Sequence, residues 1–236
     1  MNIIALSLIA FISSFVFIRL LKPFAHKIEL VDFPEERRKH HTGTIPLVGG
    51  IGIFLGFIFT ILISDFNLNP LRGILLALAL MVVVGVLDDY RNISVRIRFS
   101  FQIFAVLIMC LISGVIINEL GDLIGMGNIQ LNSWSIPFTI LTAIGIINAI
   151  NLLDGIDGLA AGVSLVCLIA IAIAKTIGGD MPQMAIILSA SIAAFLWFNL
   201  FSTKKVFLGD AGSTFLGLAI TWLLIDASQG EEKTIE

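Results

Sequence analysis

Eight apolar runs divide the chain: Ile3–Ile18, Ile45–Ser64, Leu71–Leu87, Ile97–Val115, Ile136–Leu153, Leu159–Ile177, Gln183–Phe201 and Ala211–Ile225. At 1.5 Å rise per residue, the roughly 18 residues of the fifth run give roughly 27 Å, just enough to cross a bilayer. The pattern predicts an all-α integral membrane protein, a polytopic bundle of about eight transmembrane helices in a single domain over residues 1–236. No Lys or Arg precedes the first run, and no small-x-small site follows it before Arg19, so it reads as a retained helix and not a cleaved leader. Arg19 can snorkel to the interface. Gly52 and Gly56, four apart in the second run, allow close approach of another backbone, and helix packing is their expected meaning. The eighth run is short. Between the fourth and fifth runs, Asn118–Ser135 is polar, contains Gly and carries no Lys or Arg; its Ile129–Leu131 core predicts a short strand outside the membrane.

Composition agrees. The chain of 236 residues is 58% hydrophobic and 13% charged, with mean hydropathy +1.03; soluble domains carry roughly 25% charged residues. A net charge of −3, with no basic patch interleaved with aromatics, gives nucleic acid no surface. Cys110 and Cys167 fall inside apolar runs and read as small buried hydrophobes, not a disulfide framework.

Charge sets the expected orientation. The first loop, Lys22–Thr44, holds Lys22, Lys27, Arg37, Arg38 and Lys39 with His26, His40 and His41. It reads as a topology-fixing cytoplasmic loop, compatible with binding an anionic headgroup or a nucleotide phosphate. The third loop adds Arg91, Arg96 and Arg98, and the seventh adds Lys204 and Lys205; the opposite side has Arg72, Lys175 and Lys233. The positive-inside rule then places the odd loops in the cytoplasm and the N-terminus outside. Asp88-Asp89, closing the third run, lies in loop three, Asp154 and Asp157 lie in loop five, and Asp210, opening the last run, lies in loop seven. Parity puts all of them on the cytoplasmic face.

Five carboxylates near a membrane surface repel one another, and a hard divalent cation would relieve the repulsion. Mg²⁺ is usually held by one or two carboxylates with substrate phosphates and water. Asp157 and Asp210, with Asn151 as a neutral oxygen donor, suit that pattern; Asp88, Asp89 and Asp154 are then available to position or deprotonate a nucleophile, or to hold a second cation. Phosphoryl transfer onto a lipid carrier fits such a site. An ion-coupled transporter using intramembrane carboxylates is the competing reading, although no inverted repeat is visible.

Four segments resemble one family in order and position: Lys39-His40-His41-Thr42-Gly43-Thr44-Ile45-Pro46-Leu47-Val48-Gly49-Gly50, Gly85-Val86-Leu87-Asp88-Asp89, Asn148 to Gly158, and Val206-Phe207-Leu208-Gly209-Asp210-Ala211-Gly212-Ser213. The chain resembles the polyprenyl-phosphate N-acetylhexosamine-1-phosphate transferases (MraY/WecA/TagO type) from about Ile28 to Gly230. Ile45 to Gly50 and Ile93-Ser94-Val95-Arg96-Ile97-Arg98 are closer to the WecA-like branch. The resemblance implies transfer of GlcNAc-1-phosphate from UDP-GlcNAc to undecaprenyl phosphate with release of UMP. That would be the first membrane step of a cell-envelope polysaccharide, in the bacterial cytoplasmic (inner) membrane, with Mg²⁺ required and Mn²⁺ as a substitute. It further implies that Asp210 and Asp157, with Asn151 beside them, form the metal site. Asp88 and Asp89 resemble the pair that handles the lipid phosphate, and Asp154 belongs to the same catalytic loop. Phe207 stands where the family stacks uracil, Asn199 near the nucleoside, and Lys39 and His41 beside the nucleotide pocket. The family continues into further helices and a cytoplasmic loop with a His-x-His-His type motif, which Glu231 to Glu236 do not supply. The expectation is therefore a shortened chain, with an inactive or split fragment as the alternative to an enzyme, and a homodimer or a complementing C-terminal fragment as partner.

Overall fold

A computed structural model describes residues 1–33, 43–123, 125, 127–179 and 182–229. Eight α-helices carry these residues: α1 (Ile3–Lys27), α2 (Gly49–Ile63), α3 (Arg72–Arg91), α4 (Val95–Ser113), α5 (Ser135–Leu153), α6 (Leu159–Ile177), α7 (Gln183–Leu196) and α8 (Gly209–Ser228). Seven helical segments are long and apolar enough to cross a membrane; α2 is the shorter exception. Its 15 residues span roughly 22 Å. Even so, α2 runs back alongside α1 over the apolar thickness. The Met1 ammonium lies 3.5 Å from Asp65, just past the end of α2, and at the other end Leu47 donates to the Leu30 carbonyl. A side chain on Gly52 or Gly56 would collide with Ile18 or Ser14 of α1, so this glycine pair is the packing seam expected of it.

The helices outrun the apolar runs at several ends. The first run stops at Ile18, but α1 continues through Arg19, Lys22 and Pro23 to Lys27. Asp88 and Asp89 are not in a loop: they sit in the last turn of α3, which ends only where Asn92 turns left-handed at φ 49°. Charged residues in a terminal turn can reach water without ending the helix.

The centre of the bundle is α8. Every residue from Ala211 to Leu223 is buried, and α8 packs against α3, α5, α6 and α2. Two crossings are closer than side chains allow. A Cβ on Gly85 of α3 would fall 2.3 Å from Ala211 Cα, and one on Gly50 of α2 would fall 2.2 Å from Gly212 Cα. The starts of α2 and α8 and the end of α3 therefore meet backbone to backbone.

A small β element, absent from the apolar pattern, reinforces this junction. Strand β1 (Val31–Asp32) pairs antiparallel with β2 (Ile45–Pro46), Val31 opposite Pro46. The approach to α8 runs along β2: Phe207 N–H donates to the Pro46 carbonyl, while Gly49 and Gly50 N–H donate to the Phe207 and Leu208 carbonyls, each at 2.9 Å. The first amides of α2, which have no partner within their own helix, are satisfied there.

The opposite end is equally defined. Ile74 N–H donates to Ser113 Oγ, Gln229 joins Asn118 and Glu119, and Lys175 of α6 pairs with Asp226 of α8. Near it, the expected strand at Ile129–Leu131 is reduced to a single bridge between Glu119 and Gln130. The described parts of loops one, three, five and seven thus gather at one end of the bundle, as parity requires.

Candidate active site

At that end, three helices deliver carboxylates to the start of α8. Asp89, in the last turn of α3, accepts from the backbone N–H of Asp210 at 2.8 Å and of Ala211 at 3.2 Å. Asp154, just past the end of α5, accepts from Gly209 N–H. Asp210 itself lies in the first turn. The orphan amides and positive end of a helix favour such an arrangement, yet three acids share one helix terminus. Burial foremost, then the charge of Asp210, pushes the Asp154 carboxyl up to about 8.

Asn151, expected as an oxygen donor, turns its amide nitrogen to Asp210. Asn151 Nδ2 lies 2.5 Å from Asp210 Oδ1 and 2.9 Å from Ser213 Oγ, one turn along α8. Asp157 is exposed and forms an ion pair with Lys205. Asp88 lies behind the cluster, within hydrogen-bond reach of the Asp210 side chain, and does not line the cavity. It is 2% exposed, accepts from Ile93 N–H at 3.0 Å, and has Arg98 Nε of α4 2.9 Å from Oδ2. The Arg98 N–H is not aligned for a hydrogen bond, so the attraction there is between charges. The sequence grouped Asp88 with Asp89; in the structure Asp89 meets the Asp210 backbone and Asp88 its side chain, and of the two Asp89 lines the cavity, because adjacent residues on a helix project about 100° apart.

These groups open onto a cavity of about 1470 Å³, whose wall includes Asp89, Asn151, Asp154, Asp157 and Asp210. Phe207, half-buried, and Asn199 line it too. Asn199 sits in a widened turn, Trp197–Phe201, and is 2% exposed; its Nδ2 donates to the Val206 carbonyl, while the buried Oδ1 has no partner among the described residues. Basic residues complete the wall: Lys22, His26, Lys204 and Lys205. Lys22 donates to the Lys204 carbonyl and stands 5.3 Å from the centre of the Phe198 ring. Lys39 and His41, expected beside the nucleotide, lie outside the described residues. Of the ten expected site residues, the structure thus brings seven to this cavity, Asp88 excepted. Ser213, Lys205 and Arg98 were missed as partners of these acids, although Ser213 and Arg98 lie within the quoted segments.

A metal is tested by the donors present. Asp210 and Asp154 offer hard oxygens, and Asn151 would add its own only by turning its amide over from Asp210; the repulsion between the acids at this helix start is what a cation would relieve. Among the described residues no three His, Cys, Asp or Glu side chains are gathered closely enough to enclose an ion by themselves. The protein supplies part of a shell, as Mg²⁺ sites completed by substrate phosphates do.

Comparison with known proteins decides the family. The model for glycosyl transferase family 4 matches residues 71–228, from α3 through α8. The chain belongs to glycosyl transferase family 4. All three site-bearing segments fall inside that match. Among relatives, the undecaprenyl-phosphate α-N-acetylglucosaminyl 1-phosphate transferase of Yersinia pestis is 36% identical over all of this chain and 66% of its own length. The protein of that name from Escherichia coli strain K12 is 35% identical over 95% of this chain and 62% of its own. A probable undecaprenyl-phosphate N-acetylglucosaminyl 1-phosphate transferase of Bacillus subtilis is 35% identical over 91% and 61%. The chain thus spans just under two thirds of the length of these curated relatives.

Proposed function

We propose that this family 4 protein transfers GlcNAc-1-phosphate from UDP-GlcNAc to undecaprenyl phosphate, releasing UMP, at the cytoplasmic face of a bacterial inner membrane. One observation carries the reading: carboxylates from α3, α5 and α8 converge on one helix start, inside a large cavity, at one end of a transmembrane bundle. The relatives' names supply the substrates. The excess of Lys and Arg in loops at this end supports its cytoplasmic placement.

In this reaction an oxygen of the lipid phosphate bonds to the phosphorus attached to the sugar. The bond from that phosphorus to the bridging oxygen breaks, and UMP leaves with the electron pair. Mg²⁺, with Mn²⁺ as a substitute, would neutralise charge on the diphosphate; Asp210 with Asn151 would hold it, Asp154 adjacent. Asp157 would join only by giving up Lys205, whose ammonium stands at the same cavity as a partner for a phosphate oxygen. Phe207 offers a ring face to the nucleoside, and Asn199, bonded to the Val206 carbonyl, holds the segment that carries Phe207. Ser213 fixes the Asn151 amide, and Asp89 fixes the start of α8. A second copy, or a C-terminal segment supplied in trans, is the protein partner in this reading.

The test is UMP release from UDP-GlcNAc by membranes carrying the chain, alone and co-expressed with the C-terminal segment of the Yersinia pestis relative, with undecaprenyl phosphate and Mg²⁺. UMP release that Asp210→Asn abolishes supports the reading. Full activity of Asp210→Asn removes the metal role, and no release in either setting removes the reaction.

A further inference from the structure

We infer that Asp89 is a positioning residue, which fixes Asp210 through the start of α8 and does not take a proton from the lipid phosphate. The inference deepens the proposed reaction and rests on it only for the activity arm of its test.

Both carboxylate oxygens of Asp89 are engaged by backbone: Oδ1 by Asp210 N–H and Oδ2 by Ala211 N–H. These are among the first amides of α8, which have no partner inside their own helix. A carboxylate borrowed from α3 therefore does the work of an N-cap, on the very residue assigned to the cation. Space is arranged for it. A side chain on Gly209 would place its Cβ 2.6 Å from Asp89 Oδ2, and Gly209 holds φ 75°, so only glycine both turns the chain and leaves room for the carboxylate. One turn before Asp89, the bare backbone of Gly85 rests on Ala211, so α3 delivers Asp89 to α8 by rigid contact. A general base needs a lone pair aimed at the proton it removes; this carboxylate is aimed at the α8 backbone. Asp88 is held by Arg98 and Ile93 beside the Asp210 side chain, is 2% exposed and does not line the cavity.

The test compares wild type, Asp89→Asn and Asp89→Ala in detergent-purified protein. Amide hydrogen exchange across residues 207–213 is read without metal, Mn²⁺ binding by electron paramagnetic resonance, and UMP release as a function of pH and Mg²⁺. Positioning predicts that Asp89→Ala speeds exchange at 210 and 211 by roughly five- to tenfold. It also predicts Mn²⁺ binding weaker by roughly tenfold, as loss of an outer-shell partner does. Asp89→Asn keeps one acceptor oxygen and falls between, so the inference stays testable if the alanine variant does not fold. In the activity arm, the Mg²⁺ needed for half-maximal rate rises while the pH profile keeps its shape. The inference is overturned if exchange and Mn²⁺ binding match wild type while kcat falls by roughly 10²-fold or more with the acid limb lost, which is the signature of a base. Should wild type release no UMP, the reaction is refuted, and the exchange and Mn²⁺ results still decide the role of Asp89.

Discussion

Replacing Gly85 with alanine adds one methyl group at the point where α3 lies on α8, and the structure fixes what that methyl meets. Its carbon would fall 2.3 Å from Ala211 Cα, 2.4 Å from Ala211 N and 2.7 Å from the Asp210 carbonyl carbon. Ordinary contact begins near 3.4 Å, and all three neighbours are backbone, which does not swing aside. The helices must therefore part by about 1 Å. Overpacking of this kind costs about 1–3 kcal/mol. Alanine also gains up to about 1 kcal/mol over glycine in a helix, so the variant must be judged against a glycine with open space. Gly145 of α5 is such a control: a Cβ there meets nothing within 4 Å. The propensity gain cancels between the two, leaving Gly85→Ala about 1–3 kcal/mol less stable than Gly145→Ala in detergent unfolding. The same displacement stretches the 2.8 Å and 3.2 Å bonds from α8 to Asp89. A 1 Å misplacement at a reacting centre costs about 10²-fold in rate, so UMP release should fall about 10²-fold in Gly85→Ala and stay near wild type in Gly145→Ala. Equal stability and activity for the two variants would refute the backbone contact, and with it the account of how α3 reaches the site.

Arg98→Met should leave Asp88 buried without a cation and cost about 3 kcal/mol or more in unfolding free energy, with Arg98→Lys recovering part of it. Metal-free protein should lose stability as pH rises from about 4 to about 8. Over that window the folded chain keeps a proton on Asp154 that the unfolded chain releases, so the slope of stability against pH is negative; saturating Mg²⁺ should flatten it, as followed by thermal unfolding. At the far end, Lys175→Met should remove the ion pair that ties α6 to Asp226 of α8 and cost about 1–3 kcal/mol, leaving UMP release per folded molecule unchanged.

Much of this architecture was legible because a bilayer enforces it. An apolar run must become a helix that satisfies its own backbone, so eight runs gave eight helices. Counting crossings then placed Asp89, Asp154, Asp157 and Asp210 at one end. What the pattern hid is what distant residues do to each other. Asp89 bonds to amides 121 and 122 positions away, and no local periodicity marks a carboxylate that will cap another helix. Asp88 and Asp89 looked equivalent as neighbours in a loop, and became different once α3 proved to run through them to Arg91. The eighth run looked short because Gly209, Asp210 and the polar Asp226–Ser228 turn are not apolar, yet these belong to the most buried helix of the bundle. The β1–β2 pair escaped notice because two-residue strands carry no alternation to read.

Sidedness is the most direct test of the whole account, since the acids of the proposed UDP-sugar transferase must face the compartment that holds the nucleotide. With Cys110 and Cys167 replaced by alanine, single cysteines are placed by Ile156→Cys, exposed beside Asp154 and Asp157, and by Asp65→Cys at the opposite end. The account predicts that a membrane-impermeant maleimide labels position 156 only in inside-out vesicles and position 65 only in right-side-out ones. The reverse pattern would contradict it, because the carboxylate cluster would then face away from the cytoplasm.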